Sequence, residues 1–441
     1  MSRQSEARRA IQERVDAVLA TLIRHVDEGR ELAVVQAPPG SGKTYQLLEL
    51  AKHARKRRLR VAVATQTNSQ ADDICRRLAN DKVPCIRFAS QAYGQLELGA
   101  SVTWETKSDQ LPSNPCIVVG TSAKWGLIDL AEPMDLCLVE EAWQMAWSNF
   151  MLLGQVSERF VLIGDPGQIP PVVPIDASRW ETAPLAPHLP APALLLEMRK
   201  GKGLTDLSLP ATRRLPFDTA ALIRPFYDID FTAWAQPEDR RFFAGGSGRG
   251  AADGAIDLLG QGSVAGLVLP TPEAGPPLEQ DDEVAASAVR VVERMLARQV
   301  EVLLDGKRTK LAPEDIGLCA THHVMNAQLD LRLPKRLRDI VRVDTPERWQ
   351  GLERKVMVIV HPMSGVTHPS DFDLETGRLC VMASRHQIAL VVVGRDHILE
   401  TLEEHLPSAQ QAVGRPDVAG RGHKQNLGFW KTLLDAGRVA S

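Results

Sequence analysis

The sequence predicts an α/β protein with two parallel-sheet domains in tandem, and three observations predict it. Short apolar runs alternate with helical patterns, and each run ends in polar residues: Leu32 to Val35, Arg60 to Ala64, Cys116 to Gly120, Leu136 to Val139 and Phe160 to Ile163. That is the pattern of a doubly wound parallel sheet with its site along the carboxyl edge. The first run leads into Gln36-Ala37-Pro38-Pro39-Gly40-Ser41-Gly42-Lys43-Thr44 and then a helical pattern from Tyr45 to His53. From Asp282 onward a second αβ series appears, without such a glycine-bearing turn.

A chain of 441 residues has room for two or three domains. Its 44% hydrophobic and 24% charged residues are those of a folded globular protein. There is no apolar run of about 18 residues, and Met1 to Arg9 is polar. The expectation is a cytoplasmic protein with no membrane partner. Six cysteines without a Cys-x-x-Cys pair argue for reduced core thiols, against a disulfide frame or a zinc module. The net charge of −3 excludes a uniformly basic surface but leaves room for a locally basic groove.

Element by element, Ala7 to Val26 carries apolar residues at helical spacing and reads as an amphipathic helix ahead of the first strand. In the turn that follows, Gly40 and Gly42 let backbone N–H groups face inward, and the positive end of the next helix points at the same place. This strand, turn and helix make a phosphate cradle in which Lys43 reaches the β- and γ-phosphates and Thr44 offers a hydroxyl to Mg²⁺. Ala37 stands where the strict phosphate-loop pattern has glycine. Lys52 to Arg60 is a basic helix end, favourable to the dipole. Asp81 to Pro115 reads as a small irregular insertion, and Pro170 to Pro192 is too rich in proline for regular structure.

In the second half, Ala220 to Tyr227 is read as helical, and Gly245 to Gly262 and Thr271 to Pro277 as loops. Then come a helix (Val284 to Val300), a strand (Ile316 to Cys319), a helix (Asn326 to Leu333), strands (Val341 to Val343, Val356 to Val360), a helix (Thr376 to Ser384) and a strand (Ala389 to Val393). The expected domains are 1–204, with the insertion at about 80–115, then 205–404, and a tail at 405–441 of mixed polarity in which Phe429-Trp430 is a docking anchor.

Hydrolysing a triphosphate requires a held Mg²⁺, a group that orients water, and positive charge on the developing γ-phosphoryl. Glu140 and Glu141, at the end of an apolar strand, suit the first two roles, and Asp165 and Gln168 end the neighbouring strand. Arg213 and Arg385 are candidate arginine fingers, since a planar guanidinium fits that task. Hydroxyl and amide residues at strand ends (Thr65, Asn68, Thr121, Ser122) suit a phosphodiester backbone and suit helix capping equally well. Trp104, Trp125 and Trp349 either stack on bases or fill the core.

Taken in order, these motifs resemble the superfamily-one helicases, in particular the branch of the nonsense-mediated-decay helicase and its bacterial relatives. They are APPGSGKT from Ala37, TQTNSQADDI from Thr65, VVGTS from Val118, LVEEAWQ from Leu138, LIGDPGQIPPV from Leu162, TRRLP from Thr212, VDTPERWQGLERKVMVIV from Val343 and RLCVMASRHQIALVVVG from Arg378. The resemblance implies two RecA-like domains that clamp ATP with Mg²⁺ and ratchet a single strand of DNA or RNA, generally 5′-to-3′. It implies nucleotide and metal contacts from Gly40, Ser41, Gly42, Lys43, Thr44, Glu140, Gln350 and Glu353, with Glu141 catalytic. Gln168 and Gln350 would couple the γ-phosphate to closure, and Arg213 and Arg385 would be the fingers. Thr65, Asn68, Thr121, Ser122 and Thr345 would meet the nucleic-acid backbone.

Three positions depart from the family: Glu140 where it has Asp, Thr212 where Tyr is common, and Ala383-Ser384-Arg385-His386 for Leu-Thr-Arg-Ala. The Glu140 departure keeps a rival reading in view, an ATP-gated clamp on nucleic acid or a protein with weak or no hydrolysis. A helicase this small also suggests a protein partner for processivity.

Overall fold

The central strands of the two parallel sheets are continuous apolar runs because both of their faces are covered, which is what parallel sheets require. The structure is a computed structural model describing residues 3–172, 176–180, 183, 185–199, 203–277, 279–407 and 418–441. The chain divides into two compact units, one of residues 1–166 and 170–211, the other of 167–169 and 212–441.

The first unit begins with helix α1 (Arg3–Asp27) and strand β1 (Leu32–Gln36), then helix α2 (Lys43–Lys56), β2 (Val61–Thr65) and helix α3 (Asn68–Asn80). It continues through β3 (Cys85–Phe88), β4 (Val102–Glu105), β5 (Ile117–Thr121), β6 (Leu136–Glu140), β7 (Phe160–Gly164) and β8 (Leu204–Ser208). All eight strands pair in parallel, in the order β4-β3-β5-β2-β6-β7-β1-β8. Alternation sends Ala33 and Val35 into one core with Leu22, Leu47 and Ile74, and Leu32 and Val34 into the other with Trp125 and Leu195.

Two expectations are corrected here. The insertion at Asp81 to Pro115 is not irregular throughout, because β3 and β4 extend the sheet edge. What fastens them is an ion pair: Arg87 Nε meets Asp72 Oδ1 at 2.7 Å, both side chains are buried, and the Tyr93 hydroxyl donates to the other Asp72 oxygen at 2.7 Å. Removing one member of such a pair strands its partner's charge. Asp72→Ala is therefore expected to cost about 3 kcal/mol or more in a denaturant titration. The second correction is the domain boundary, placed at 204/205 by the sequence. Leu204–Ser208 pairs with β1 from Leu32↔Leu204 to Gln36↔Ser208, so the first unit runs on to Ala211.

The second unit holds a six-stranded parallel sheet and a three-stranded antiparallel one. Its strands are β9 (Ala211–Thr212, straddling the divide), β10 (Thr232–Ala233), β11 (Arg240–Phe243), β12 (Val264–Leu269), β13 (Glu301–Leu304), β14 (Lys307–Lys310) and β15 (Ile316–Cys319). They continue with β16 (Arg342–Asp344), β17 (Arg354–Val360), β18 (His386–Arg395) and β19 (Val439–Ala440). The parallel sheet runs β16-β15-β17-β18-β12-β19 and the antiparallel one β11-β13-β14. Two apolar clusters cover the faces of the larger sheet, one built on the helix Asp282–Ala297 and one on Thr376–Ala383.

The stretch Gly245 to Gly262, expected to be a loop, contains a helix at Ala251–Leu259 that buries Ala252, Ala255, Ile256 and Leu259. The expected tail is likewise structured beyond the undescribed residues 408–417: a helix at Val418–Asp435 buries Phe429 and Trp430, and β19 joins β12. Of the proline-rich run, residues 173–175, 181–182 and 184 lie outside those described. Among the described residues no helix is long and apolar enough to cross a membrane. The six cysteines are buried thiols.

Candidate functional site

The cradle is set by two strand ends. Where β1 stops, Ala37 donates its N–H to the Gly164 carbonyl at the end of β7, 2.8 Å away. Ala37 is buried and its φ is not positive, so its methyl group packs into the core at no backbone cost. That is why alanine serves where the strict pattern has glycine. Gly40 and Gly42 do need their freedom, with φ of 67° and 87°. Gly42 occupies the N-cap of α2 and no side chain caps it, so the first-turn N–H groups are left for an anion. The buried Ser41 Oγ has no hydrogen-bond partner among the described residues, an orphan of the kind a ligand satisfies.

Glu140 and Glu141 enter the same corner from β6. Thr44 Oγ1 donates to Glu140 Oε1 at 2.5 Å, and Lys43 Nζ lies 2.6 Å from Glu141 Oε1. Glu141 is held in the left-handed region, φ 51° and ψ 42°, a conformation that costs a non-glycine residue about 1 kcal/mol or more and is found where a site needs it. Gly164 makes room for this turn, since a Cβ there would lie 2.8 Å from the Ala142 nitrogen. Burial first, and the Glu141 carboxylate second, push Glu140 up to about 7, against the lowering pull of Thr44 and Lys43. A hydroxyl and a buried, proton-hungry carboxylate in contact, beside a lysine and a cradle of N–H groups, fit a triphosphate with a divalent cation.

That elevation has a consequence for stability. A carboxyl whose folded pKa exceeds its ordinary 4.5 binds more protons folded than unfolded between pH 4.5 and about 7. The stability it contributes is therefore full below pH 4.5 and is lost as pH rises to about 7, by about 3 kcal/mol. Buried His25, His361 and His386, lowered chiefly by burial to about 4, 3 and 3, impose the opposite slope, losing stability as pH falls below 6.5. The difference in melting temperature between wild type and Glu140→Gln, without metal, isolates the carboxyl. It is expected to shift toward the variant as pH rises from 5 to 7.5.

In the second unit, three motif loops are tied into one network. Arg214 Nε donates to Glu353 Oε2 at 2.5 Å, Gln387 Nε2 donates to Glu353 Oε1 at 2.7 Å, and the Arg354 N–H donates to the Arg385 carbonyl at 2.9 Å. Burial alone would raise Glu353, yet Arg214, with Gln387 and Arg385, brings it below the ordinary carboxylate value. Arg213 is exposed, with its guanidinium 4.0 Å from the centre of the Trp234 ring. Arg385 is buried, donating to the Val381 carbonyl at 3.1 Å and Ser384 Oγ at 3.3 Å. Gln350 follows the short helix Pro346–Trp349, ahead of Gly351 with φ of 78°. Gln168 is buried, and a Cβ on Gly377 would lie 2.7 Å from its carbonyl oxygen, so that glycine lets the Gly167–Ile169 strap lie flat on the helix Thr376–Ala383.

A family model described as an AAA domain matches residues 19–180. The DNA replication ATP-dependent helicase/nuclease DNA2 of Gallus gallus is 27% identical over 157 residues, covering 33% of this chain and 16% of that protein. Its counterpart in Saccharomyces cerevisiae is 28% identical over 171 residues, 36% of this chain and 11% of that one. The DNA polymerase alpha-associated DNA helicase A of Schizosaccharomyces pombe is 33% identical over 63 residues, 14% and 10%. Over these stretches the chain is similar to proteins named as ATP-dependent DNA helicases. It spans no more than 16% of the length of these curated relatives. Among solved structures, an Arterivirus nonstructural protein 10 (helicase) aligns over 82% of this chain and 59% of its own, at 14% identity and a TM-score of 0.43. The same helicase in complex with DNA gives 82%, 60%, 15% and 0.43.

The architecture is α/β, two parallel-sheet units following one another along the chain. Of the residues expected to meet nucleic acid, Thr65 and Thr121 are paired neighbours at the ends of β2 and β5. Their side chains, however, do internal work. Thr65 is buried and donates to the Thr67 carbonyl at 2.9 Å, Thr121 caps the helix at Ser122–Gly126, and Asn68 Oδ1 accepts from Arg87 at 2.7 Å. Ser122 is nearly buried, and Thr345 is buried at the start of Pro346–Trp349. Trp125 and Trp349 are fully buried, each donating to a backbone carbonyl at 3.1 Å, so both belong to the core. Trp104 is half-buried beside Tyr93. Sequence reasoning missed Arg87, Tyr93 and Gly377, which lie outside the quoted motifs and act through long-range contacts, and it gave no reason for the glycine at 164 within its motif.

Proposed function

We propose that this protein is an ATP-dependent helicase or translocase on single-stranded DNA or RNA, moving 5′-to-3′. The observation that carries the reading is the convergence of Lys43, Thr44, Glu140 and Glu141 in one buried corner. The names of the curated relatives support it. Backbone N–H groups from Gly40 to Thr44 hold the β- and γ-phosphates, and Lys43 turns from Glu141 to the phosphate oxygens. Released from the lysine, Glu141 accepts a hydrogen bond from the attacking water and orients it. Thr44 and Glu140 would hold Mg²⁺, which would supply positive charge to the phosphoryl oxygens.

Arg213 supplies positive charge to the γ-phosphoryl, and Arg385 supports it from its buried position. Gln168, on a strap that belongs to the second unit, and Gln350 report the presence of the γ-phosphate. In this reading Glu353 acts on the nucleotide through the Arg214 network instead of touching it. Backbone groups at the ends of β2 and β5 meet the strand, with the threonines fixing their geometry.

The test is displacement of a labelled strand from a partial duplex carrying a 5′ or a 3′ tail. ATP-dependent displacement from the 5′-tailed substrate is expected, and none with Lys43→Ala. Displacement from 3′ tails alone would reverse the polarity, and ATP hydrolysis with no displacement from either would rule out unwinding.

A further inference from the structure

Arg240 lies in the small antiparallel sheet, outside every motif, and its side chain is 7% exposed. Its Nη2 donates to the Arg213 carbonyl at 2.7 Å and its Nη1 to the Gln387 carbonyl at 3.1 Å and to the Arg214 carbonyl. Asp305, on the turn between β13 and β14, steadies Nη2 at 3.3 Å. One guanidinium thus ties down three carbonyls from two motif loops. The planar fork explains why arginine occupies the position, since a lysine ammonium on a flexible stem cannot hold donors at those fixed angles. The Trp234 ring, 4.0 Å from the Arg213 Cζ, steadies the other end of that residue, and the Trp234 N–H donates to the Thr212 carbonyl at 2.8 Å.

We propose that Arg240 is a positioning residue for hydrolysis: it staples the Arg213-Arg214 turn to the Gln387 strand so that the Arg213 side chain is presented in one orientation. The inference rests on the assignment of Arg213 to the γ-phosphoryl. A displacement of about 1 Å at a reacting group costs about 10²-fold in rate, and losing three carbonyl anchors frees the Arg213-Arg214 turn to shift. The antiparallel sheet then has a role beyond covering the core, which is to carry this staple.

The test is a double-mutant cycle on the full chain, reading ATP hydrolysis with saturating oligo(dT) and oligo(U). Arg240→Ala is expected to lower kcat by about 10²-fold, leaving KM for ATP and the affinity for the strand nearly unchanged. Arg213→Ala should lower kcat by at least as much, and the double variant should be no slower than Arg213→Ala alone. Arg240→Lys, should the alanine variant not fold, is expected to show the same kcat loss with a wild-type melting temperature. Losses that multiply in the double variant, an unaltered kcat in Arg240→Ala, or a loss confined to KM or strand affinity would overturn the proposal. An unaltered kcat in Arg213→Ala would remove the finger assignment and the staple's purpose with it.

Discussion

Replacing Lys43 with alanine is expected to reduce strand-stimulated phosphate release by about 10³-fold, the scale of losing one preorganised positive contact to a transferring phosphoryl group. The same change touches stability. Lys43 Nζ lies 2.6 Å from Glu141 Oε1, and their side chains are 16% and 8% exposed. Removing the ammonium leaves Glu141 buried beside Glu140, a like charge, at a cost of about 3 kcal/mol. The two effects separate in Lys43→Ala/Glu141→Gln. Removing the stranded carboxylate should restore the denaturation midpoint, while hydrolysis stays at background. A double variant that regained turnover would place the phosphate contacts elsewhere.

Arg213→Ala is the other large effect, expected to lower kcat by about 10³-fold, the low end for an arginine that stabilises charge on a transferring phosphoryl. Arg213 is exposed, unlike Arg385, and its guanidinium rests over Trp234. The substitution should therefore leave the melting temperature within about 1 °C, since surface changes of this kind stay within about 0.5 kcal/mol. Nucleotide affinity, measured with a non-hydrolysable analogue, should change little. Arg213→Lys should not rescue, because the ammonium offers no planar fork. A variant that lost nucleotide affinity and kept kcat would make Arg213 a binding residue.

Much of this was legible in the chain, for physical reasons. The phosphate cradle is local: two glycines, a lysine and a threonine between a strand and a helix specify it within nine residues. The apolar runs leading to Glu140 and to Gly164 are equally plain, because central parallel strands are apolar on both faces. What escaped depends on distance along the chain. The strand at Leu204–Ser208 has half-exposed, mixed residues because it closes one edge of the sheet, so its pattern is weak. Arg87 looks like a surface residue until Asp72 and Asn68 are brought beside it.

The helix at Ala251–Leu259 hides between glycines, although four of its residues repeat at helical spacing. The strand-end threonines posed a choice between nucleic-acid contact and capping that composition cannot decide, since one oxygen serves either use. Trp125 and Trp349 stand near motifs in sequence yet point into the cores. Nothing short of the fold separates a stacking tryptophan from a packing one.

The most direct test of the account is phosphate release by the purified full chain with ATP and Mg²⁺, alone and with saturating oligo(dT) or oligo(U). A marked rise is expected with at least one of the two polymers, absent in Lys43→Ala. Tight binding of both nucleotide and strand, with release no faster than in their absence, would contradict it and leave a clamp in place of a motor.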